Sequence, residues 1–125
     1  MSGPAVIRAR ILGSGSSGGV PRVDGDWGAC DPDNPKNYRL RCSLLVERAR
    51  SLDALTAGRA TRVLVDTSPD LRAQLLAAGS PNLDAVLFTH AHADQSHGID
   101  DIRALVYRRR AKLPAYLDPA TRNEL

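Results

Sequence analysis

Residues 84–98, DAVLFTHAHADQSHG, hold the densest information in this 125-residue chain. The first six form a short apolar run, suited to a strand covered on both faces. That run leads directly into His90, His92, Asp94, Gln95 and His97, a stretch that includes all 3 histidines of the protein. Imidazoles two residues apart share one side of an extended segment, so His90 and His92 can reach one cation. Asp94 offers an anionic oxygen on that same side. Zinc, manganese and iron accept such mixed nitrogen and oxygen ligands. A single histidine is usually a core or surface residue, but three beside an aspartate after an apolar strand point to a divalent metal.

The flanking sequence gives the class. Downstream, Ile99, Ile102, Leu105 and Val106 recur at helical spacing ahead of a basic stretch at 108–112, where cations suit the helix dipole. Residues 114–117 (PAYL) predict a last strand, and Asp118 with Pro119 opens another helix. Upstream, residues 61–67 (TRVLVDT) and 43–48 (SLLVER) read as strands, joined by a surface hairpin connection at 49–60. Ser68 at the N-cap and Pro69 at the first helical position start a helix. Leu71, Leu75 and Ala78 give it one apolar stripe, and Gly79 closes it. Residues 5–12 (AVIRARIL) alternate apolar and basic, as a half-buried strand does. The glycine-serine run 13–19 ends that strand. No period is visible from there to Arg41, so residues 20–42 are expected to form one long loop, a length usually functional or disordered. Strands alternating with helices place the chain in the α/β (α+β) class.

Composition narrows the function classes. At 125 residues the chain is one domain at most, and 42% hydrophobic with 25% charged is ordinary for a soluble globular protein. No apolar run approaches the roughly 20 residues of a membrane span. The stretch Met1-Ser2-Gly3-Pro4-Ala5 lacks the basic and apolar regions of a signal peptide. Cys30 and Cys42 make neither a disulfide framework nor a four-ligand zinc spacing, so reduced thiols in the cytoplasm are expected. The net charge is +3, and all but two of the 17 basic residues are arginine. Lys36, Arg39, Arg41, Arg48 and Arg50 form one basic stretch and residues 108–112 another. Only Tyr38 and Tyr107 interleave with them, too few for a base-stacking platform, which argues against nucleic acid as a partner. Gly13, Gly15 and Gly18 match a G-x-G-x-x-G pattern. A dinucleotide site needs a helix opening inside that loop, and Val20-Pro21-Arg22 follow instead, so no cofactor-binding glycine is assigned.

The motif at 90–98 resembles the H-x-H-x-D-H signature of metallo-β-lactamase-fold hydrolases. The likeness extends to ILGSGSSGGVPR, to GDWGACDPDNPKNYRLRCSLLVE and to VLVDTSPDLR. Together these are similar to the branch that contains the phosphoribosyl cyclic phosphodiesterase and neighbours of the tRNA 3′-processing endonuclease. The resemblance implies that residues 1–125 form the N-terminal half of an αββα sandwich, with a mixed sheet carrying helices on one face. It implies His90 and His92 as ligands of a first metal and Asp94 as a ligand of a second. Asp66 is implied as the acid that holds a ligand histidine by its other ring nitrogen, against the plainer reading of a charge near the helix start at Ser68.

Gln95 departs from the pattern, because the family usually has histidine there. An amide oxygen is neutral and a weaker zinc donor. His97 stands two residues on, where it could substitute as a ligand, face the substrate or cap the next helix. Asp94 and His97 are therefore the candidate catalytic residues, and His90, His92, Asp94 and Gln95 the candidate metal ligands. The family's remaining ligands come from the second half of a longer chain, and no histidine follows His97. The expected activity of the parent protein is metal-dependent phosphodiester hydrolysis with one or two zinc or manganese ions. A small cyclic phosphate ester is the expected substrate, with tRNA 3′-end cleavage or a non-catalytic metal-binding fragment as the alternatives. The 125 residues alone are expected to be inactive and to pair as a homodimer through an exposed sheet face.

Overall fold

The computed structural model describes residues 4–125; the first three residues of the amino-terminal stretch read above lie outside them. Strand β1 (Val6–Gly13) pairs antiparallel with β2 (Ser43–Ala49), and β2 pairs antiparallel with β3 (Thr61–Val65). A short connection suffices for an antiparallel neighbour, and here it contains helix α1 (Leu52–Thr56). From β3 onward the sheet turns parallel. The crossover to β4 (Ala85–Leu87) carries helix α2 (Leu71–Ala77). The crossover to β5 (Ala115–Tyr116) carries α3 (Ala93–Ser96), a 3-10 turn at Ile99–Asp101 and α4 (Ile102–Arg109). Helix α5 (Pro119–Glu124) follows, capped by the Asp118 carboxylate on the Thr121 amide at 2.8 Å. The strand order is β1-β2-β3-β4-β5, a mixed sheet as expected.

The two faces differ because side chains alternate along each strand. Leu45, Leu64 and Val86 stand in register on one face and pack with Leu71 and Leu75 of α2, Leu83 and Phe88. Ile102 and Leu105 of α4 lie against that cluster. Leu45, Leu64 and Leu71 are wholly buried, each contributing about 1.5–3 kcal/mol by leaving water. The opposite face presents Ile7 and Ile11 of β1, Leu44 and Val46 of β2, Val63 and Val65 of β3, Leu87 and Tyr116 in matching register. No helix of the described residues covers it, and Ile7 and Ile11 remain 68% and 75% exposed.

Two expectations need correction. The 49–60 connection is not a bare surface hairpin. Ser51 accepts from the Ala54 amide at 3.1 Å and starts α1, whose Ala54 and Leu55 bury against Ala49. Apolar spacing over five residues is too short to show a helical period, which hid it. The second helix starts at Leu71, not at Pro69. Ser68 is buried, its hydroxyl donating to Gln74 Oε1 at 2.7 Å and accepting the Asp70 amide at 3.1 Å. Asp70 takes the cap position with its carboxylate turned away to Arg41. The long loop contains a single 3-10 turn at Pro35–Asn37; one bridge, Gly15 to Arg41, ties its end to the segment after β1, and another, Val20 to Arg39, closes it on itself. No helix opens after Gly18.

Candidate functional site

Strands β3 and β4 are parallel, so their carboxyl ends reach the same rim of the sheet. Crevices there are the usual ligand sites of open α/β sheets. Two segments meet at that rim: 66–68 after β3 and 88–98 after β4. The Asp66 amide donates to Leu87 O at 2.8 Å, the Thr67 amide to Gln95 O at 2.8 Å, and the Gly98 amide to Thr67 O at 3.0 Å. The buried Thr67 hydroxyl donates to Ser96 O at 3.1 Å. Ser96 in turn donates to His92 O at 2.9 Å and lies 3.1 Å from Ala91 O. Gly98 lies so close to the Ser68 carbonyl that a Cβ there would collide with it. The histidine turn is thus held rigidly against the end of β3.

Asp66 is the pivot. Its φ of 64° lies in the left-handed region, where Asp is tolerated better than most residues but still pays strain. This backbone turn aims a 6% exposed carboxylate across to the other strand. Oδ1 accepts the Thr89 amide at 2.8 Å, and Oδ2 accepts the Thr89 hydroxyl at 2.7 Å. The same Thr89 oxygen lies 2.8 Å from His90 Nδ1. A hydroxyl has one proton, and here it is committed to the carboxylate. His90 must then donate from Nδ1, which leaves the lone pair on Nε2, facing away from this chain of bonds. Asp66 therefore holds a histidine, but through Thr89 instead of by direct contact. Sequence reasoning took Thr89 for a strand residue. Its signal was a hydroxyl side chain immediately before the first histidine.

The His90 and His92 rings are brought together edge-to-face, 4.5 Å between centroids. The extended segment ends at His92, which is the cap of α3, so Asp94 and Gln95 already lie on the helix. Asp94 accepts from Gln95 Nε2 at 2.9 Å, and the same nitrogen lies 3.4 Å from Cys42 Sγ. Gln95 is buried, and its Oε1 has no partner. His97 is exposed at the end of α3; its amide donates to Ala93 O, and among the described residues its ring makes no hydrogen bond. No three His, Cys, Asp or Glu side chains converge on one point among the described residues.

A divalent cation fits this donor set in part. Two imidazoles, one with its tautomer set so that Nε2 is free, are ligands that zinc takes. The buried, unpartnered Gln95 Oε1 is a second unmet polar atom in the same turn. The Gly13–Gly19 side of the rim is braced separately. Gln74 Nε2 donates to Arg41 O at 2.7 Å, and Asp70 accepts the Arg41 amide at 2.9 Å and Arg41 Nη2 at 3.2 Å. Gly13 has no room for a Cβ between Arg41 O and the Gln74 amide. Arg39, Arg41 and Tyr38 line a cavity of about 180 Å³ with residues 18–21.

Comparison with known proteins bears on this arrangement. The octanoyltransferase of Porphyromonas gingivalis (strain ATCC BAA-308 / W83) is 42% identical over 103 residues, which is 82% of this chain and 19% of that one. Among solved structures, a diphosphatase from the PhnP family is 36% identical with a TM-score of 0.79, over 96% of this chain and 45% of its own. Zn2+-bound PqqB from Methylobacterium extorquens, 24% identical with a TM-score of 0.56 over 91% of this chain and 38% of its own, shares the fold. The chain thus spans about a fifth of the curated relative and less than half of either solved structure. No helix of the described residues is long and apolar enough to cross a membrane. A family model described as a beta-lactamase superfamily domain matches residues 61–125, from the first residue of β3 through both rim segments. With half the chain matched there and a mixed sheet of the same architecture, the protein belongs to the beta-lactamase superfamily and has the metallo-β-lactamase fold.

Proposed function

We propose that the protein is a metal-dependent hydrolase of phosphate esters, with a small cyclic phosphodiester such as phosphoribosyl 1,2-cyclic phosphate as its substrate. One observation carries the reading: the Asp66–Thr89–His90 chain of hydrogen bonds, which sets the His90 tautomer and leaves Nε2 free as a ligand. The 36% identity to a diphosphatase supports phosphate chemistry. The octanoyl transfer in the Porphyromonas protein's name belongs to a chain matched over only 19% of its length, and no residue placement here favours it.

In this reading His90 and His92 hold one ion, zinc or manganese, and Asp94 contributes to a second. A bound divalent cation supplies Lewis-acid polarisation of a phosphoryl oxygen and acidifies water. The chain's own residues orient that chemistry. Asp66 and Thr89 fix His90, Ser96 fixes the carbonyls at 91 and 92, and the Gln95 amide holds the Asp94 carboxylate in one orientation. In this reading His97, exposed at the end of α3, meets substrate, and the guanidiniums of Arg39 and Arg41 hold a phosphate. We further propose that residues 1–125 make up one half of the catalytic domain, with the apolar face of Ile7, Ile11, Leu44 and Val46 packed against a second layer. The isolated chain then self-associates through that face as a homodimer and lacks activity.

The test is hydrolysis of bis(p-nitrophenyl) phosphate and of a ribose cyclic phosphate by the complete protein with zinc or manganese. Turnover of the cyclic ester that is lost in His90→Ala is expected. Absence of turnover with both metals on both substrates overturns the proposal. Preferential cleavage of a tRNA precursor replaces the substrate class with RNA 3′ ends.

A further inference from the structure

At the opposite end of the sheet, three arginines meet one carboxylate. Glu47 of β2 is almost wholly buried, yet it points to the helix-bearing face beside Arg8 and Arg10 of β1 and Arg62 of β3. Arg8 Nε donates to Oε1 at 2.9 Å and Arg62 Nε to Oε2 at 2.9 Å. Arg62 also donates from Nη2 to Gly58 O at 3.1 Å. Arg10 stays out of this arrangement. Its nearest carboxylate oxygen, on Glu47, is 3.9 Å away, and it makes no hydrogen bond among the described residues. Three guanidiniums against one carboxylate leave an excess of two positive charges.

This excess lines a cavity. Arg8, Arg10, Glu47 and Arg62 form one wall, and Thr56, Ser80 and Asn82 supply hydroxyl and amide groups opposite, around about 340 Å³. Arg8 and Arg10 are 42% and 33% exposed, and both line the cavity. The helix-side face of edge strand β1 carries Arg8 and Arg10 between Val6 and Leu12, and Arg10 stands in register with the buried Leu45 and Leu64. Packing does not require that. A solvated edge needs charge, but not two arginines converging on a site that already has its ion pair. Arg62 is the second residue of β3 and Asp66 follows its end, so the two sites are roughly 13 Å apart along the strand at about 3.3 Å per residue. They share no lining residue.

We propose that this cavity is an anion site for a phosphoryl group, separate from the histidine rim. A dianion matches the two uncompensated charges. The planar fork of Arg10, with the free Nη groups of Arg8, suits a tetrahedral oxyanion. The proposal does not depend on the catalytic reading.

Calorimetric titration of inorganic phosphate into the complete protein tests it, after chelator treatment and at ionic strength held constant with chloride. Removing metal still leaves Arg39 at the rim, so a metal-free His90→Ala, His92→Ala, Arg39→Ala variant must bind as the wild type does. Saturable one-site binding is expected, weakened about tenfold or more in Arg10→Gln, the loss of one charge-assisted contact. Arg10 makes no hydrogen bond and stands 3.9 Å from Glu47, so the variant's urea midpoint should fall far less than that of Glu47→Ala. Arg10→Lys, which keeps charge without the fork, should fall between. Comparing phosphate with adenosine monophosphate tells a free ion from an ester, and tighter binding of either supports the site. Absence of binding in the wild type, or equal affinity in Arg10→Gln, overturns it.

Discussion

Replacing Thr89 by valine removes one oxygen and keeps the shape, so it isolates the hydroxyl on which the rim depends. In the structure that oxygen does two things: it gives its proton to Asp66 Oδ2 at 2.7 Å and receives one from His90 Nδ1 at 2.8 Å. A hydrogen bond to a charged group contributes about 1.5–3 kcal/mol. Thr89 is exposed while Asp66 is buried, so water can reach the threonine side of the vacated position. The lower end, near 1.5 kcal/mol, is therefore expected in urea unfolding of the metal-free protein. The second effect is on His90. Without an acceptor at Nδ1 the imidazole is free to choose either tautomer and to rotate. Loss of such an outer partner typically costs about 10–100-fold in metal affinity. Competition with a chromophoric chelator measures zinc affinity directly, and Thr89→Ser should restore it. Unchanged zinc affinity in Thr89→Val, with a folded protein, would refute the tautomer argument and with it the role given to Asp66.

Three further outcomes follow from the packing. Glu47→Ala leaves the buried Arg62 guanidinium without its counter-charge and should destabilise by about 3–5 kcal/mol in urea unfolding, since breaking a buried pair strands the other ion. Burial pushes the Glu47 carboxyl up, but hydrogen bonds from Arg8 and Arg62 outweigh it and hold it below the usual carboxylate range. A group lowered on folding stabilises above its unfolded value near 4.3 and loses that contribution as pH falls through the lower folded value. Urea midpoints should accordingly drop below about pH 4, and less steeply in Glu47→Gln. Gly98→Ala drives a methyl into the Ser68 carbonyl and should cost about 1–3 kcal/mol or more while separating the histidine turn from β3, read as lost stability together with weakened zinc binding.

Periodicity and punctuation are local properties, and they carried far in this chain. The alternation in residues 5–12, the runs 61–67 and 84–89, and the stripe Leu71–Leu75 each became the element predicted, though the two runs form strands only over Thr61–Val65 and Ala85–Leu87. The clustering of His90, His92 and Asp94 after a strand is likewise visible in sequence alone. Short elements escaped, since five residues in α1 are stabilised by contact with Ala49 and not by their own spacing. The start of α2 escaped for a related reason. Ser68 and Asp70 look alike as caps until tertiary partners claim their side chains, Gln74 for one and Arg41 for the other. The route from Asp66 to His90 lies further out of reach of sequence. It spans 24 residues and two strands, it needs a left-handed backbone at Asp66, and its middle member is a threonine indistinguishable in sequence from a strand residue. The Glu47 cluster likewise joins residues 8, 10, 47 and 62 through strand register alone. Residue type and spacing determine which chemistry is present and which segments form elements. Which side chains meet, and which proton sits on which nitrogen, follows only once folding has brought distant segments within hydrogen-bonding distance.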